Sequence, residues 1–186
     1  MSTEETLFEA EDKMDKAIGV ARDELAAIRT GRAHAAMFTK LNAEYYGTPT
    51  PLQQLATITI PEPRMVMIAP YDKSAMNSIE RAIRESDLGV NPGNDGVSIR
   101  VVLPQLTEER RREFVKIARS KAEESRVTVR GIRRNAKDEL DRLVKDGEVG
   151  EDDVARAEKT LEALTKKHVD GVDDLLRNKE AELLER

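Results

Sequence analysis

The sequence predicts an α+β protein of two domains. A long three-helix bundle forms one, and a small α/β, β-sandwich-like domain is inserted between the first and second helices. Three observations carry this. Charged residues make up 36% of the 186 residues and aromatics only 3%, which favours long, heavily solvated helices for most of the chain. Three stretches keep apolar residues at steps of three and four. All seven prolines fall between residues 49 and 104, among short strand-like runs.

The first helix is predicted from Leu7, Ala10, Met14, Ala17, Ala21, Leu25 and Ile28, which form one apolar stripe. Ser2 with Glu5 three residues on has the form of a capping box. Gly31 is the expected helix stop, in a left-handed conformation.

Residues 32–105 change character. Strand-like runs are 41–46, 57–60, 65–68 and 98–103, punctuated by Pro49, Pro51, Pro61, Pro63 and Pro70. A short helix is predicted over Ser74 to Glu85, with Ala75, Ile79, Ala82 and Ile83 on its apolar side. A loop, 87–96, separates it from the last strand.

The second long helix begins after Thr107, a plausible N-cap, and Glu108 and Glu109 favour its N-terminal dipole. Its stripe runs Phe114, Ala118, Ala122, Ser125, Val129, Ile132, Ala136, Leu140, Leu143, and Gly147 is the expected C′ residue. Gly131 inside it costs about 1 kcal/mol against Ala. The third helix starts near Glu151 with the stripe Val154, Ala157, Leu161, Leu164, His168, Val172, Leu175, Leu183. The short loop between the last two helices makes them antiparallel neighbours. The bundle is thus expected over 1–30 and 106–186, and the inserted domain over 31–105. The chain crosses twice, at Thr30, Gly31, Arg32 and at Pro104, Gln105, Leu106. Two short crossings suggest a hinge.

Charge is unevenly spread. The whole chain has a formal net charge of -5. Residues 106–146 nevertheless hold thirteen basic and nine acidic groups, while residues 30–105 hold seven of each. Between Glu124 and Asp138 no acid occurs, but Arg126, Arg130, Arg133, Arg134 and Lys137 do. At 100° per residue, 126, 130, 133 and 137 share one helix face, with Arg134 beside them. A local stripe in an acidic protein suits docking onto one polyanion better than coating any nucleic acid. Four of the five are Arg, which binds phosphate bidentately. The near absence of aromatics argues against base stacking, so contact would be by shape and phosphate on folded RNA. Charge alone leaves a second reading open, a solvated face paired with Glu123 and with acids of neighbouring helices.

Other chemistries find little support. There is no Cys for a disulfide, a thiol nucleophile or a Cys-based zinc site. His34 and His168 are the only histidines. His168 lies on an apolar stripe, where a packed side chain outweighs a ligand. Neither a Walker loop nor G-x-G-x-x-G occurs. Asn91 to Gly96 resembles a calcium loop weakly, but Gly93 and Val102 stand where ligands belong. The paired acids Asp152-Asp153 and Asp173-Asp174 are read as helix-dipole and solvated-face residues. No metal or cofactor is expected, nor an enzyme. The acidic N-terminus is unlike a signal peptide and no apolar run is span-length, so a cytoplasmic location is expected.

Several motifs then point to a family. Ile28-Arg29-Thr30-Gly31-Arg32-Ala33 resembles the bacterial ribosome recycling factors, as do Tyr45-Tyr46-Gly47-Thr48-Pro49-Thr50-Pro51-Leu52, Gln54-Leu55-Ala56 and Ser86-Asp87-Leu88-Gly89-Val90-Asn91-Pro92. Pro104-Gln105-Leu106-Thr107-Glu108-Glu109-Arg110-Arg111 and Val129-Arg130-Gly131-Ile132-Arg133-Arg134 complete the match. The resemblance implies an L-shaped monomer that acts after termination with elongation factor G and GTP to split the ribosome. It implies that the bundle lies along large-subunit rRNA, through arginines matching Arg130, Arg133 and Arg134. GTP belongs to the partner factor, and neither DNA nor membrane is an expected partner. Gly131 departs from the family pattern, in which a polar residue such as Asn is expected. The rival reading is a helical adaptor or scaffold binding another protein.

Overall fold

The computed structural model describes residues 1–185; Arg186, the last residue of the expected bundle range, lies outside them. The chain divides into two compact units, Met1–Arg29 with Glu108–Arg186, and Thr30–Thr107.

The first unit is α1 (Thr3–Ala26), α5 (Glu108–Lys145) and α6 (Glu151–Leu184). The Ser2 capping box forms: Ser2 Oγ accepts from the Glu5 amide at 3.1 Å, and the Ser2 amide donates to Glu5 Oε2 at 3.2 Å. The helix ends at Ala26, earlier than expected. Gly31 is left-handed at φ 83, but it sits in a turn beyond the helix rather than at its C′ position. The cause is local. The Ala27 amide caps back onto Asp23 and Leu25, and the buried Thr30 already begins the second unit.

α5, at 38 residues, is about 57 Å long. It ends in a Schellman motif, with the Gly147 amide on Val144 O at 3.0 Å and the Glu148 amide on Leu143 O at 3.0 Å. Gly147, at φ 74, is the residue that can adopt that turn without strain. α5 and α6 bury Val129, Leu140, Leu143, Val154 and Leu161 against Ala10 and Met14 of α1. A second cluster at the other end gathers Leu25, Ala118 and Leu183.

Among the described residues two ionisable side chains are buried inside the bundle. His168 is buried on α6 and packed, as its stripe position predicts. Its Nδ1 lies 2.7 Å from Leu164 O and its Nε2 2.6 Å from Asp15 Oδ1, tying α6 to α1. His168→Ala is expected to lose both bonds and leave a cavity, lowering bundle stability by about 2–3 kcal/mol. Urea unfolding followed by circular dichroism checks this. Lys179 was placed by no sequence pattern. It is buried on the same stripe, paired with Glu182 at 3.6 Å, and burial pushes its ammonium pKa down.

The second unit has unequal layers. β3 (Ala56–Glu62), β4 (Met65–Pro70), β6 (Ile99–Val102) and β5 (Gly93–Asn94) form an antiparallel sheet in the order β3-β4-β6-β5. β1 (Asn42–Tyr45) and β2 (Thr48–Pro51) form a separate hairpin. The helix α4 (Met76–Arg84) follows a 3-10 turn at Lys73–Ala75. All share one core that includes Phe38, Leu52, Val66, Ile68, Ile79, Ile83, Ile99 and Val101. Two one-turn helices, α2 (Ala36–Thr39) and α3 (Leu52–Leu55), were not anticipated; four residues carry too little periodicity to read.

Tyr45 Oη donates to Asp72 Oδ2 at 2.8 Å, which pins the hairpin to the start of α4. The backbone amide of Ser74, then the Tyr45 hydroxyl, hold the Asp72 carboxyl below the usual range. The Asp72 carboxylate pushes the Tyr45 phenol up to about 12. At the crossings, a Cβ on Gly31 would stand 3.4 Å from Leu106 Cγ.

Candidate nucleic-acid interface

α5 presents the basic stripe because its core face is already committed. Ala118, Ala122, Ser125, Val129 and Ala136 are buried, so residues 126, 130, 133, 134 and 137 flank that face on one side. The structure grades them. Arg130, Arg134 and Lys137 are exposed. Among the described residues Arg134 and Lys137 have no ion-pair partner. Among the described residues Arg130 pairs with Glu123, at 3.7 Å, and with no acid of the neighbouring helices.

Arg126 differs. Its side chain is 18% exposed and doubly held, with Nε donating to Asp173 Oδ1 at 2.7 Å and Nη1 to Glu123 Oε2 at 2.9 Å. Burial alone would lower its pKa, but the Asp173 and Glu123 carboxylates outweigh it and hold the guanidinium above its ordinary value. Asp173 is therefore no free solvated acid: it bridges α6 to α5. Asp174 pairs with Arg177 at 3.0 Å. Arg133 is intermediate, 32% exposed, with Nη1 donating to Glu162 Oε1 at 3.0 Å.

Arg126→Ala is accordingly expected to act on stability. It strands Asp173 at the helix interface and should cost about 1 kcal/mol, where Arg134→Ala costs at most about 0.5. Thermal denaturation of the two variants measures the difference.

Pairing with Glu123 and with acids of a neighbouring helix was expected, but the cross-helix partner was expected at Arg130; the structure makes the cross-helix pairs at Arg126 and Arg133 instead. Their signal was available in the spacing of Glu162, Asp173 and Glu180, which share one face of α6.

The other candidates resolve simply. Asp95 Oδ1 accepts from the Val97 and Ser98 amides, both at 2.9 Å, and these amides hold its carboxyl low. It acts as a turn-former. Among the described residues no group of three His, Asp or Glu could hold a metal, and no helix is long and apolar enough to cross a membrane. The turn residues around Gly31, with the Arg32 amide on Thr30 Oγ1 at 3.4 Å, all belong to the second unit.

Fold and site together define a two-unit α+β protein whose distinguishing surface is a cationic ridge on a bundle helix. Comparison with known proteins gives the particular family. The sequence model of the ribosome recycling factors matches residues 21–184. The ribosome-recycling factor of Kineococcus radiotolerans is 67% identical over 181 residues, covering 97% of this chain and 98% of the relative. That of Beutenbergia cavernae is 68% identical over 182 residues, with 98% of each covered. A solution structure of a ribosome recycling factor superposes with a TM-score of 0.81 at 41% identity, over 99% of this chain and 98% of that one. A T. thermophilus ribosome recycling factor, placed with E. coli elongation factor G on the E. coli post-termination complex, gives 0.67 at 42% identity, with full coverage of both. The chain belongs to the ribosome recycling factor family, whose members are translation factors rather than enzymes.

Proposed function

We propose that this chain binds the post-termination ribosome in the cytoplasm and, with elongation factor G and GTP, promotes its splitting into subunits. The α5 ridge lies along large-subunit rRNA, and the crossings at Thr30, Gly31, Arg32 and Pro104, Gln105, Leu106 act as a hinge. One observation carries the reading: Arg130, Arg134 and Lys137 stand exposed in a row on the most basic segment of an acidic protein.

The physics is electrostatic and mechanical. Cations fixed on a packed helix meet phosphates at small entropic cost, and each contact releases counterions. The helix is rigid because α1 and α6 pack along it, so it can transmit force. Arg133, held by Glu162, contributes its remaining donors at the inner edge, and Arg126 acts chiefly as a strut. GTP binding and hydrolysis belong to elongation factor G, since this chain carries no phosphate-binding loop.

Co-sedimentation with ribosomes tests the reading. The chain should pellet with 70S ribosomes at low salt and be released as salt rises, whereas an adaptor for another protein should stay in the supernatant. The isolated chain should not bind GTP at micromolar concentration by equilibrium dialysis.

A further inference from the structure

The cationic ridge has a neighbour of opposite sign. Glu162, Asp173 and Glu180 on α6 face Arg133, Arg126 and Arg119 on α5. The bonds are Arg133 Nη1 to Glu162 at 3.0 Å, Arg126 Nε to Asp173 at 2.7 Å and Arg119 Nε to Glu180 at 2.7 Å. The three arginines are spaced seven residues apart, so the row follows the length of the helix pair. Among the described residues the exposed Arg130, Arg134 and Lys137 of α5 form no ion pair with α6.

Fold stability accounts for the part-buried Arg126–Asp173 pair but is a weak explanation for the outermost acid of the row. Glu162 is 65% exposed, and pairs of that kind contribute about 0–1 kcal/mol. The bundle already buries Leu140, Leu161 and Leu183 fully or nearly so. Toward an approaching polyanion the row matters more. A phosphate that seeks Arg119 or Arg133 meets a carboxylate within hydrogen-bond distance of the same guanidinium, and like charges at that range repel.

We propose that the acidic row of α6 is a selectivity element. It neutralises the inner edge of the ridge, so that a flexible polyanion finds few cations to collect. Only an RNA surface shaped to follow Arg130, Arg134 and Lys137, and to take the donors of Arg133 that Glu162 leaves free, is held. Discrimination against wrong partners comes from built-in repulsion as well as from attraction to the right one. The inference rests on the reading of the ridge as an rRNA interface.

The test uses the full chain and the variant Glu162→Gln/Glu180→Gln, with poly(U) as the flexible polyanion and 70S ribosomes as the shaped one. The amide oxygen of Gln still accepts from the arginine, so the helices stay bridged while the charge is removed. Asp173 is left in place because Arg126 is part-buried. Poly(U) affinity should rise about tenfold at low salt, and its salt slope should steepen by about 1.4, two single-strand phosphates' worth. Ribosome affinity should change by less than about threefold, its main contacts being the outer cations. Asp174→Asn, which frees Arg177 away from the ridge, should leave poly(U) binding unchanged. If the double variant does not fold, Glu162→Gln alone should raise poly(U) affinity about threefold and steepen the slope by about 0.7.

An unchanged poly(U) slope overturns the proposal. So does an equal gain from Asp174→Asn, or a rise in ribosome affinity that matches the rise for poly(U). Failure of the underlying reading looks different. Ribosome binding would then be indifferent to loss of Arg130, Arg134 and Lys137, whatever poly(U) does.

Discussion

Gly31→Val should cost the second unit about 2 kcal/mol and reduce ribosome splitting by about tenfold, while ribosome binding holds within about threefold. Two features combine at this position. The backbone is left-handed, at φ 83, and a β-branched residue there is a genuine outlier. The added side chain would also crowd Leu106, since a Cβ alone would stand 3.4 Å from its Cγ. Leu106 belongs to the returning crossing, so the strain falls where the chain passes both ways. The bundle and its ridge are untouched, so binding should survive. Splitting is read by light scattering with elongation factor G and GTP, and stability by thermal melting. Unchanged splitting by a folded variant removes the hinge from the mechanism.

Replacing Arg130, Arg134 and Lys137 together by Ala should weaken ribosome binding by about 10²–10³-fold near physiological salt and flatten its salt dependence by about 2–3 units of slope. All three side chains are exposed, so the bundle should lose within about 0.5 kcal/mol at each position. Filter binding over a range of salt concentrations, with circular dichroism as the check on folding, measures both. Glu123→Ala should leave binding equal or slightly tighter, because Glu123 neutralises Arg126 and Arg130 in part.

Long-range periodicity made the bundle legible. The stripe from Phe114 to Leu143 and that from Val154 to Leu183 each persist over many turns, and Gly147 marks the turn between them in its Schellman geometry. Glycine alone was a poorer guide at Gly31. There a left-handed residue was expected to end the helix and instead follows it, because Ala27 caps the helix locally. Short elements were illegible for lack of repeats: α2 and α3 each have four residues, and β5 only two. In the candidate interface, the cations themselves could be found in the sequence, since their spacing on α5 is local. Their differing exposure could not. It depends on which acids α6 brings across, and pairs such as Arg126 with Asp173 are 47 residues apart.

The ridge of α5 is held to meet phosphate by position rather than by general charge. Two single variants, each losing one exposed arginine, decide it: Arg134→Ala on the ridge and Arg177→Ala on α6, where Arg177 pairs with Asp174. Ribosome binding is measured for both across a salt series. Arg134→Ala should flatten the slope by about 0.9, one phosphate's worth, and weaken binding, while Arg177→Ala changes neither. Equal losses from the two variants would contradict positional docking, because the ridge would then be only a solvated face.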